Sequence, residues 1–101
     1  MKPRKAKVDN NQQDIVDALR KIPGITVETG HDDILVGCYD KNGIARTYWF
    51  EVKNPDKIGK DGNIQPSAIR KSQKEIIKKW TGQYDLVTSL QEILKIIGLT
   101  N

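Results

Sequence analysis

The stretch from Gly30 to Lys53 constrains this chain most, because it reads as two strands joined by a tight turn. The turn signal is Asp40-Lys41-Asn42-Gly43, since Asn and Gly tolerate positive φ. Asp32 and Asp33 open the first strand, and Glu51-Val52-Lys53 closes the second. Side chains alternate along a strand, so Glu51 and Lys53 point one way and Val52 the other. The turn then decides where Asp33 goes. A loop centred on Asn42 sets Asp33 across from Glu51. A two-residue Asn42-Gly43 loop shifts the register by one and sends the two carboxylates to opposite faces.

We expect the odd-length or bulged loop, for a chemical reason. Two carboxylates opposed across strands repel and weaken a sheet. A divalent cation between them turns the repulsion into a ligand set, and Mg²⁺ typically takes only one or two protein carboxylates. Lys53 would then sit beside the metal, where an ammonium orients a water or steadies charge developing on a phosphate. Asp33, Glu51 and Lys53 across a hairpin are therefore arranged as a phosphodiesterase needs them. The bland alternative is a solvated strand end with ordinary surface charge.

At these residues a family comes into view. His31-Asp32-Asp33-Ile34-Leu35-Val36-Gly37, followed by Trp49-Phe50-Glu51-Val52-Lys53, resembles the core of the PD-(D/E)XK nuclease superfamily. The nearest likeness is to small stand-alone bacterial and phage VRR-NUC-like nucleases, and more distantly to archaeal Holliday-junction resolvases. The resemblance implies a restriction-endonuclease-like α/β core, a central mixed sheet flanked by helices in the order α-β-β-β-α-β-α. It implies DNA as partner and Mg²⁺ or Mn²⁺ as cofactor, held by Asp33, Glu51 and the carbonyl of Val52, with Lys53 assisting the attacking water. One departure is that Asp32 stands where the family has Pro, a residue that shapes the strand entry and is not a ligand. Gln73 matches a Gln that faces the site in related nucleases, which implies phosphate or water binding. The His or Tyr that often follows it by one turn is Ile77 here. Gln12 stands where the resolvases carry a Glu, with Asp14 as a nearby substitute. Pro66-Ser67 and the following Arg70-Lys71 also resemble the small nucleases. The likeness runs from about Val8 to Ile97.

With 101 residues, the chain is expected to form one domain over 8–101 behind a flexible basic arm at 1–7. The arm would add a non-specific phosphate contact. A net charge of +4 favours an anionic partner. The single cysteine, Cys38, permits no intrachain disulfide, so a reducing, cytoplasmic setting is expected, with Cys38 as core packing. With one histidine, His31, and one cysteine, no His/Cys zinc site can be assembled. No glycine-rich phosphate loop with a following Lys-Ser/Thr occurs, which argues against a nucleotide cofactor. No run is long and apolar enough to suggest a membrane span.

Along the chain, Asp9-Asn10 should cap a helix over 11–21 that ends at Pro23-Gly24. A short strand follows at 25–28. In the hairpin, Ile34, Val36 and Cys38 share a face with Tyr48, Phe50 and Val52. Leu35, Gly37, Thr47 and Trp49 share the face of Asp33, Glu51 and Lys53. Both faces are partly apolar, which predicts helices on both sides, with Trp49 in the core. Residues 54–66 read as a mobile loop over the site, with Lys57 and Lys60 available to phosphates. Ser72 and Glu75 form a capping box for a helix over 73–81 that buries Ile76, Ile77 and Trp80 and stops at Gly82. A strand at 84–87, a second capping box at Ser89 and Glu92, and a helix ending at Gly98 complete the chain.

Residues 53–79 carry eight Lys/Arg against three acids. Lys57, Lys60, Arg70, Lys71 and Lys74 would form the basic rim that a phosphodiester substrate requires around an acidic centre. So small a domain has a narrow footprint on such a substrate, which suggests a symmetric homodimer.

Overall fold

The computed structural model describes residues 11–30 and 33–99. The basic arm, the Asp9-Asn10 cap and the His31-Asp32 pair lie outside them. Three helices and a four-stranded mixed sheet form an α/β fold. The order is α1 (Gln12–Arg20), β1 (Thr26–Thr29), β2 (Asp33–Tyr39), β3 (Ala45–Val52), α2 (Lys71–Lys79), β4 (Asp85–Val87) and α3 (Leu90–Ile97). β1, β2 and β3 form an antiparallel meander, and β4 joins β3 in parallel after the α2 crossover.

One face of the sheet carries the core. Ile34, Val36, Phe50, Val52 and Val87 point into it by strand alternation and meet Ile15, Val16 and Leu19 of α1 and Ile93 and Ile97 of α3. Arg20 closes the turn beneath β1 by donating to the Val27 carbonyl at 3.0 Å. α3 is stopped at both ends as its sequence demands. Ser89 Oγ accepts from the Glu92 N–H at 3.2 Å, and Gly98 takes φ 87°, with the next N–H, from Leu99, donating to the Leu94 carbonyl at 2.8 Å. Among the described residues no helix is long and apolar enough to cross a membrane.

The other face departs from expectation. It is only partly covered, because α2 seats Gln73 as its one buried residue and leaves Ile77 and Trp80 about half exposed. Leu35 of β2 is 45% exposed on the same face. α2 also begins two residues earlier than its capping box suggested. The Gln73 side chain accepts from the Arg70 N–H at 3.0 Å, so Arg70, not Ser72, is the cap residue. The helix ends at Lys79, with Trp80 already extended at φ −75° and ψ 128°, so Gly82 is not its stop.

Residues 54–66 are built rather than structureless. Two 3₁₀ turns, Pro55–Lys57 and Pro66–Ala68, bracket a small hairpin in which Ile58 bridges Ile64. Its ladder includes Gly59 N–H to the Asn63 carbonyl at 2.7 Å and Gln65 N–H to the Lys57 carbonyl at 2.8 Å. Ile58 and Ile64 line a cavity with Ile69, Ile77 and Leu86, which sets this hairpin by the β4 edge of the sheet.

Candidate active site

The hairpin turn sets the geometry of everything that follows. Asp40 N–H donates to the Ile44 carbonyl and Gly43 N–H to the Asp40 carbonyl, both at 2.9 Å. The loop is therefore the three residues Lys41-Asn42-Gly43, with Gly43 in the left-handed region at φ 76°. Asp40 holds it from inside. Its Oδ1 accepts from the N–H groups of Asn42 and Ile44 at 2.8 and 3.0 Å, and its Oδ2 from Arg46 Nε at 3.0 Å. These bonds, led by that from Ile44, hold the Asp40 carboxyl below the usual carboxylate range. The register that results places Asp33 directly opposite Glu51.

Glu51 and Lys53 are 4% and 7% exposed, while Val52 between them is in the core. Lys53 prolongs the ladder by donating its N–H to the Val87 carbonyl at 2.7 Å, so it lies on the Glu51 side of the strand. Glu and Lys are almost never this buried unless paired or functional.

The surroundings are specific. Asp33 Oδ2 accepts from the Trp49 indole at 2.6 Å, and Arg70 Nη2 stands 3.9 Å from Glu51 Oε1. Tyr84 packs edge-on to Trp49, with centroids 4.5 Å apart. Burial first, then the charges of Glu51 and Asp33, push the Tyr84 hydroxyl up to about 12, with Arg70 opposing. The folded value exceeds the ordinary one of 10.0, so any stability Tyr84 contributes is present below pH 10 and lost as the pH rises towards 12. Tyr84 thus belongs to the acidic centre, and the sequence reading missed it. The signal was there only once β3 and β4 are paired. Glu51 aligns with Leu86, and Tyr84, two residues before, falls on the same face.

Gln73 is 2% exposed. Its Oε1 is taken by the Arg70 N–H, and its Nε2 is buried without a partner among the described residues. Gln12 is likewise buried, with Oε1 unpartnered among the described residues. Its neighbour Asn11 donates to the carbonyls of Lys53 and Thr88 at 3.2 and 3.0 Å, which ties the start of α1 to the end of β3. Gln12 follows Asn11 at that start of α1, whereas Asp14 is exposed. Lys71 and Lys74 are exposed on α2 beside Arg70, while Lys57 and Lys60 belong to the small hairpin at the β4 edge. Trp49 is half-buried and borders an open groove, so it is not the core residue expected.

Asp33 and Glu51 offer hard carboxylate oxygens, the donor chemistry of Mg²⁺ or Mn²⁺. Among the described residues no three His, Cys, Asp or Glu side chains gather. Two side-chain carboxylates suit an ion that keeps several of its waters. The buried amide atoms of Gln73 and Gln12 that lack a partner among the described residues are of the kind that ordered water satisfies. No protein-family model, no curated protein and no solved structure matches the chain.

Proposed function

We propose that this protein is a divalent-metal-dependent nuclease that hydrolyses phosphodiester bonds in DNA. The observation that carries the proposal is the burial of Glu51 and Lys53 on one side of the β3 segment, with Asp33 directly across from Glu51. Membership of the PD-(D/E)XK superfamily, with its restriction-endonuclease-like architecture, is part of the same proposal. It is supported by the Asp33, Glu51 and Lys53 pattern and by the element order.

Asp33 and Glu51 would hold Mg²⁺ or Mn²⁺ together with the carbonyl of Val52. The bound ion supplies Lewis acidity at the phosphate and a more acidic water. The Trp49 indole fixes the Asp33 carboxylate by the 2.6 Å bond. Lys53 orients the attacking water and steadies charge developing on the phosphate. Gln73 Nε2 donates to a phosphate oxygen or to that water. Arg70, Lys71 and Lys74 attract the DNA backbone, with Lys57 and Lys60 more distant. A two-fold dimer would extend this footprint, and a cytoplasmic location completes the proposal.

The test is incubation with supercoiled plasmid and with branched DNA, in Mn²⁺ and in a chelator. Nicked or cut product is expected only with the metal. Absence of metal-dependent product on every DNA form would defeat the proposal. DNA binding that survives that outcome would favour a second reading, a nucleic-acid-binding module of the same fold. The observation behind it is Gln12, an amide at the buried start of α1 where the resolvases have a carboxylate.

Gly30 gives a sharper check. A Cβ added there would meet Asp33 Oδ1 at once. Gly30→Ala should swing the carboxylate off its Trp49 bond and lower cleavage by about a hundredfold, the cost of a misplacement of this size. A melting curve like that of the parent, with reduced Mn²⁺ affinity by calorimetry, would confirm that the loss is local.

A further inference from the structure

We infer that the open face of the sheet beside the carboxylate pair is a stacking site for an unpaired nucleobase, so that the DNA presented to the pair is single-stranded there. The inference rests on the nuclease proposal for the chemistry at its acidic end, and on separate observations for the groove itself.

The groove holds about 670 Å³, and Asp33, Leu35, Trp49, Trp80 and Gly82 are among the residues that line it. Both tryptophans of the chain therefore line it. Trp80 is 53% exposed, yet it is held from three sides. Its Nε1 donates to the Gln83 carbonyl at 3.1 Å. Its ring stands at 88° to Trp49, with centroids 5.5 Å apart. It also lies so close to the backbone that a Cβ at Gly82 would come within 2.8 Å of Nε1. An exposed indole fixed in this way offers a plane that loses little entropy on stacking. Trp49 links that plane to the candidate ligand through its bond to Asp33.

Charge says what would stack. α2 leads directly into Trp80 and carries Lys71, Lys74, Lys78 and Lys79 on its exposed residues, with Lys79 paired to Glu75 at 3.2 Å. Among the described residues the groove is lined by the acids Glu28 and Asp33 and by no cation. With no metal on the carboxylates, phosphates are drawn to the helix and away from the groove, which leaves the groove to the uncharged part of a nucleotide. A cationic track beside an aromatic plane is how single strands are held without sequence preference. Bases inside a duplex are stacked on each other and cannot offer a face to Trp80.

The experiment is a titration with oligo(dT) in chelator, read by tryptophan fluorescence. Quenching is expected, and Trp80→Ala should weaken binding by about tenfold or more, the typical loss of one base–aromatic stack. Trp80→Phe should recover most of the loss. Gly82→Ala, which displaces the indole without removing it, should weaken binding as well. A strand of abasic units should bind parent and Trp80→Ala alike. Equal affinity of parent and Trp80→Ala for oligo(dT), or equal quenching by the abasic strand, would overturn the inference. Because no metal is present, a protein that never cuts DNA can still pass this test. One that cuts but shows no base-dependent quenching loses the stacking site alone.

Discussion

Asp33→Ala is expected to abolish metal-dependent cleavage and to leave the fold standing. Asp33 faces the carboxylate of Glu51 across the hairpin, and Glu51 cannot hold a divalent ion alone with comparable strength. Loss of the charge that binds the ion should cost at least about a thousandfold in rate. Stability should hardly change, because two small effects oppose. Removing one of two opposed like charges relieves about 0.2–1 kcal/mol of strain in the sheet. The Trp49 indole loses its acceptor, at about 1 kcal/mol for a half-buried donor. Plasmid nicking, Mn²⁺ titration by calorimetry and a thermal melt check the three parts together. A variant that melts like the parent and still cuts at the parent rate would remove Asp33 from the site and with it the nuclease proposal.

Phe50→Ala is expected to have the largest effect on stability. Phe50 is fully buried, pairs with Ile34 across the hairpin and stacks on Tyr48 at 6.3 Å. Truncating a buried Phe costs about 3–5 kcal/mol, through lost transfer energy and the cavity left behind. A domain of this size has only about 5–15 kcal/mol in total. The melting midpoint should fall by roughly 15 °C or more. Phe50 and Glu51 are consecutive on β3, so the core face and the acidic face rest on the same strand. A loss of less than about 1 kcal/mol in denaturant unfolding would mean that this strand is not the centre of the core.

Much of this was legible in the chain. The apolar set Ile34, Val36, Phe50 and Val52 follows from the period of two and is the observed core face. The three-residue turn was one of two registers the sequence allowed. Asp40 is the residue that selects it, by accepting from Asn42 and Ile44. Ser89 and Gly98 bound α3 as their types require. The failures are Trp49, which borders a groove rather than the core, the segment 54–66, which forms a small hairpin, and above all α2. Ser72 and Glu75 form a plausible box, but Gln73 reaches back to Arg70 and draws the helix start earlier. Ile77 and Trp80 carry a helical apolar spacing that predicts burial, yet both are about half exposed.

The chain by itself determined which side chains share a face and where α3 begins and ends, because alternation, capping and positive φ act within a few residues. Only the tertiary structure decided that Tyr84 and Arg70 stand beside Asp33 and Glu51, and that the sheet is left open at Trp49 and Trp80. Those placements depend on the parallel pairing of β3 with β4 and on how α2 crosses between them, and contacts between segments so far apart leave no local pattern to read.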